Sequence, residues 1–114
     1  MTLVDTSVWV DHLRNGNARL KDLLTNNEVM IHPFVIGELA CGSIRNRSEI
    51  LDLLSELPPA VVADHGEVLK LIEAKKLHGK GIGLIDAHLL ASALLSKAEL
   101  LTLDGALLKL SARL

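Results

Sequence analysis

Four short apolar runs of β-type composition, Thr2–Val4, Val29–Ile31, Ala60–Val62 and Leu100–Thr102, recur along this sequence, each followed by helical periodicity. Strands interrupted by helices cannot pair through tight hairpins. Each must reach its neighbour by a crossover, which selects parallel pairing in a sheet covered by helices on both faces. The intervening segments agree: Leu20, Leu23 and Leu24 share one helical face, as do Ile50, Leu53, Leu54 and Leu57, and Val68, Leu71 and Ile72 repeat the spacing. Pro58-Pro59 ends the helical segment before it and launches the third strand, because proline supplies no amide to a helical ladder.

A chain of 114 residues, 49% of them hydrophobic, accommodates one domain over residues 1–114 with ample apolar material for a core. Cys41 is the only cysteine, which excludes an intrachain disulfide and a cysteine zinc cluster; it is expected as a small buried residue. Strand-like sequence begins within three residues of Met1, leaving no room for a signal peptide. The longest apolar stretch, 81–95, is interrupted by Asp86 and His88 and falls short of a membrane span. A cytoplasmic, reducing location without a membrane partner is the expectation.

Of the 14 carboxylates, ten sit in polar company on helix faces or in loops, where solvation accounts for them. The other four stand in or beside apolar segments: Asp5 after "LV", Glu38 within "PFVIGELAC", Asp86 within "GIGLIDAHLLASALL" and Asp104 after "LLTL". Helix capping is the ordinary explanation for Asp5, Asp86 and Asp104, and an exposed mid-helix acid for Glu38. Four together change the balance. Buried carboxylates repel one another and need a cation or a proton among them, and no basic residue lies within those segments. An all-oxygen set matches a hard divalent ion, and the ligands of open α/β sheets gather outside the carboxyl ends of the strands, where Asp5 and Asp104 fall. "GKGIG" at 79–83 follows a helix and lacks the Walker spacing, so it is read as a loop, and His12, His32, His65, His78 and His88 show no ligand spacing.

The ordered set "VDTSVW", "GELACG", "DAHLLASA" and "LLTLD" resembles the PIN-domain ribonucleases, specifically VapC-type toxins of toxin–antitoxin pairs, over almost the whole chain. The resemblance implies a PIN-like three-layer α/β/α fold with a central parallel sheet of four to five short strands. It implies that Asp5, Glu38, Asp86 and Asp104 form an acidic pocket for Mg²⁺ or Mn²⁺, with Thr6 and Thr102 as supporting hydroxyls. Asp5 would then cap its helix and bind metal with the same carboxylate. The implied reaction is endonucleolytic hydrolysis of structured RNA, tRNA or rRNA, leaving 5′-phosphate and 3′-hydroxyl ends and blocking translation. Three carboxylates would hold metal, and Glu38 would either ligate it or orient the attacking water as general base. A VapB-type antitoxin and a homodimer complete the implied partners, with uncovered apolar surface expected around a Pro33–Ile44 helix and its neighbours.

Two departures stand out: Leu103 occupies a position often basic in relatives, and the sequence runs ten residues past Asp104, where relatives usually add a final short strand. The net charge of −2 argues against an RNA partner only until the four pocket acids are set aside, which leaves 12 basic against 10 acidic residues. Two other readings stay open on the residues alone. A haloacid-dehalogenase-like phosphatase would want a second Asp where Ser7 stands, and a non-catalytic α/β protein-binding module would use the acids to bind a basic partner.

Overall fold

The computed structural model describes residues 1–114. β1 (Thr2–Val4) runs into α1 (Thr6–Asn15) and α2 (Ala18–Thr25), followed by β2 (Val29–Met30), α3 (Pro33–Cys41) and α4 (Arg47–Ser55). Two further helices, α5 (His65–Lys75) and α6 (Leu84–Ser96), precede β3 (Glu99–Leu101) and α7 (Gly105–Arg113). All strand pairs are parallel, in the order β2-β1-β3, so β1 lies at the centre with Leu3 opposite both Met30 and Leu100. Leu3 and Val4 are fully buried, as a central strand covered on both faces requires.

The sheet has three strands, not the four to five expected. The run Ala60–Val62 makes only a single parallel bridge, Ile31 to Pro59, with the Ile31 amide bonded to Pro58 O and the Ala60 amide to Ile31 O, both at 2.9 Å. Beyond it the ladder is pre-empted from α6, because Ser96 Oγ accepts from the Val61 amide at 2.8 Å and Ser92 Oγ from the Ala63 amide at 3.3 Å. Proline has no amide to extend the pairing, and after Ala60 two serines take the amides of Val61 and Ala63. Cys41 also departs from expectation: it closes α3 on the exposed side, where the chain leaves the core through Gly42.

The principal core joins β1 and β2 to the inner faces of α1 to α4, through Val8, Trp9, Leu20, Val35, Leu39 and Leu54. Helix α6 is buried along Ala87–Ala93 and enters all three apolar clusters, meeting α5 through Val68 and α7 through Leu107 and Leu110. That central position explains why its sequence is apolar on nearly every side. No helix is long and apolar enough to cross a membrane.

Candidate functional site

Asp5 is the last step of the central strand, and its amide donates to Leu101 O at 2.9 Å, fastening the strand end to β3. Only 6% of it is exposed. It holds the N-cap position of α1 with extended backbone, yet its carboxylate caps no amide. That corrects the dual role expected of it. Oδ2 instead accepts from Thr102 Oγ1 at 2.7 Å and Ser7 Oγ at 2.8 Å, so two hydroxyls, one from the start of α1 and one from the end of β3, fix the carboxylate.

Thr102 is itself buried, and its hydroxyl does double duty: it donates to Asp5 and accepts the Asp104 amide at 3.0 Å. The positions of the first and last acids are thereby coupled through one oxygen. Asp104 is exposed and caps α7 in the ordinary way, Oδ1 accepting from the Leu107 amide at 3.1 Å. Asp86 stands one turn into α6, half-buried, with Oδ2 accepting from the Gly83 amide at 3.0 Å. Burial raises its carboxyl above the usual range; the Gly83 bond opposes this, and the charges of Asp5 and Asp104 push it further up. These three acids therefore share one field. Glu38 lies exposed on α3 and is tied to the same corner by Thr6, whose hydroxyl donates to Oε1 at 2.6 Å.

Ser7 is the member that the sequence reading passed over. Its hydroxyl donates to Asp5, lies 3.4 Å from Thr102 Oγ1 and accepts the Leu103 amide at 3.1 Å, stitching the start of α1 to the loop after β3. The signal was present in the Asp-x-Ser spacing, which favours a local side-chain turn. The histidines serve elsewhere. His32 caps α3 through Nδ1, which accepts from the Phe34 amide at 3.0 Å, while buried His88 packs against the Phe34 ring.

Every hydrogen bond to the four acids comes from a hydroxyl or a backbone amide. The donor set is all oxygen, and Asp5 and Asp104 both repel the charge of Asp86, so its chemistry fits a hard divalent cation. As the side chains stand, no three such groups are close enough to ligate a single ion. Closing on one would require side-chain rearrangement, in which Asp104 and Glu38, though exposed, each already have one oxygen engaged, by the Leu107 amide and by Thr6.

A parallel α/β sheet with carboxylates outside the carboxyl ends of its strands fits the architecture expected of a PIN-type domain. The chain belongs to the PIN domain family, whose model matches residues 2–112. It is 51% identical over 105 residues to Ribonuclease VapC32 of Mycobacterium tuberculosis, in the CDC 1551 and H37Rv strains alike, covering 91% of this chain and 85% of the relative. The crystal structure of FitAcB from Neisseria gonorrhoeae shares the fold, with a TM-score of 0.67 at 20% identity over 98% of this chain and 94% of that one.

Proposed function

We propose that this protein is the toxin of a type II toxin–antitoxin pair and acts as a metal-dependent endoribonuclease on structured RNA, tRNA or rRNA. The observation that carries the reading is a nearly buried carboxylate, Asp5, fixed by two hydroxyls at the end of the central strand within the field of Asp86 and Asp104. The 51% identity to a ribonuclease supports it.

Asp5, Asp86 and Asp104 would hold Mg²⁺ or Mn²⁺, which when bound would lower the pKa of water and neutralise phosphoryl charge. Thr102 and Ser7 hold the Asp5 carboxylate fixed, and the half-buried Asp86 side chain limits the water around it. Glu38, held at Oε1 by Thr6, is free at its other oxygen to orient the attacking water and take its proton. No second Asp stands at position 7, and Ser7 spends its hydroxyl on Asp5, which weighs against the phosphatase alternative.

The partners follow from uncovered apolar surface. Helix α3 ends at Cys41 and exposes only Phe34 among its large apolar residues; most of the surplus lies elsewhere. A groove of ≈ 260 Å³ bounded by Trp9, Leu24, Ile50 and Leu53 suits the apolar face of an antitoxin helix. The face carrying Leu94 and Leu108 suits a second copy of the chain in a homodimer. Such a toxin acts in the cytoplasm, where its RNA substrates are.

The test is cleavage of total RNA by the purified chain with EDTA, Mg²⁺ or Mn²⁺, followed by sequencing of the product ends. Metal-dependent cuts with 5′-phosphates are expected, lost in Asp5→Asn and Asp86→Asn. Either variant cutting like the wild type would overturn the assignment.

A further inference from the structure

We propose that the RNA strand crosses the carboxylate pocket along a two-sided phosphate track, held by Arg14 and Arg45 on one side and by Lys80, Lys109 and Arg113 on the other. The proposal rests on the nuclease reading and assigns residues that the reading does not use. Arg14, in the last turn of α1, and Arg45, in the loop after α3, line a cleft of ≈ 460 Å³ together with Glu38. Lys80, Lys109 and Arg113 line a second cleft of ≈ 510 Å³ that reaches Gly105, the residue next to Asp104.

Sheet order places the two clefts. Helix α3 follows β2 and α7 follows β3, while Asp5 ends the strand between them, so Glu38 and Asp104 approach it from opposite sides. On this proposal a strand bound in both clefts runs from the cleft that holds Glu38 to the one beside Asp104, across the end of the central strand. Charge supports the same path: the first cleft has Glu38 as its only acid, already engaged by Thr6, and the second has none. None of the five cationic head groups is taken up by the protein, whereas Arg47 in the same region donates twice to Ala40 O. Lys109 and Arg113 lie four residues apart on α7 and so present their charges on one face.

Phosphate contacts are also the chief source of affinity open to this chain. It has no tyrosine, Trp9 is only 4% exposed, and Phe34 alone presents a ring to solvent, so stacking on bases is confined to a single residue. Binding through phosphates releases counterions and is accordingly steeply salt-dependent.

The test uses Asp5→Asn protein, expected to bind RNA without cutting it, and measures affinity for a single-stranded oligonucleotide across a KCl series. At about 0.7 in log–log slope per phosphate, Arg14→Ala with Arg45→Ala should flatten the salt dependence by about 1.4, and the triple alanine variant of Lys80, Lys109 and Arg113 by about 2. Affinity at 0.15 M salt should fall roughly tenfold and roughly fiftyfold respectively. Arg14→Lys with Arg45→Lys keeps the charge and should restore the slope, which separates charge from folding. Oligonucleotides trimmed at one end supply the directional readout: the arginine variant should become indifferent to trimming at one end only, and the lysine variant at the other. Unmoved slopes, or both variants indifferent to the same end, overturn the track. So does weakened binding of poly-L-glutamate with RNA affinity unchanged, which would make these clefts protein-binding surfaces. If Asp5→Asn still cuts RNA, the nuclease pocket fails while the slopes still decide the track.

Discussion

Lowering the pH from 7 to 5 is expected to destabilise this protein by about 2 kcal/mol through His32 alone. His32 is fully buried, its Nδ1 is committed to the Phe34 amide, and its Nε2 has no partner. Burial, and then the neighbouring His88, pushes its pKa from 6.5 down to about 4. A depressed folded-state pKa means that the unfolded chain binds the proton first. Stability is therefore fully present above pH 6.5, declines as pH falls through that value and stops declining below pH 4. At pH 5 the unfolded imidazole is about 97% protonated and the folded one about 9%, which gives the ~2 kcal/mol; the ceiling below pH 4 is about 3.4 kcal/mol. Asp86, whose raised carboxyl gains a proton in the folded state, acts in the opposite sense, so the effect must be read as a difference. Asn at position 32 retains a capping oxygen without titrating. Urea midpoints at pH 7 and pH 5 should fall by about 1.3 M more in the wild type than in His32→Asn, for a slope near 1.5 kcal/mol per M. Parallel shifts in the two proteins, within about 0.3 M, would refute the argument.

Thr102→Val keeps shape but removes a donor to a nearly buried carboxylate and an acceptor for the Asp104 amide; denaturation should show a loss of about 2–3 kcal/mol, and RNA cleavage should fall. Asp86→Asn is expected to stabilise the fold at neutral pH while abolishing cleavage, because it relieves a charge that burial, Asp5 and Asp104 all oppose; a lower melting temperature than wild type would contradict this. Added Mg²⁺ should raise the melting temperature of the wild type and leave that of Asp5→Asn unmoved, since a ligand stabilises only the state that binds it. Equal shifts in both proteins would place the ion elsewhere.

Sequence pattern carried most of the architecture, because parallel strands buried on both faces must be short apolar runs and crossover helices must be amphipathic. Where it misled, the cause was long-range. Nothing near Val61 announces that Ser96, 35 positions away, will take its amide, and that single bond helps keep a strand-like run out of the sheet. Asp5 stood out because a carboxylate among buried apolar residues is costly, and the structure does bury it, whereas Glu38 and Asp104 lie exposed. The geometry of the acids was not legible. Asp5 carries a strong capping signature, but whether its carboxylate caps the helix is decided by Thr102, 97 residues on, and by Ser7. Cys41 went astray for the opposite reason: a small apolar residue on the last turn of a helix has no local signal for which way it faces.

The bond between Asp5 and Thr102 also has a consequence for the birth of the protein. Central strand β1 is made first, but its β3 neighbour and the hydroxyl that aims its carboxylate are made about a hundred residues later. A contact of such high sequence separation closes only after the intervening loop entropy has been overcome, so the pocket forms late in folding. A nascent chain, or one released early by a translational error, carries Asp5, Glu38 and Asp86 without Thr102 and Asp104. On the proposed reading, RNA cleavage is expected only from chains that extend through the loop after β3, which a variant truncated before Thr102 would test.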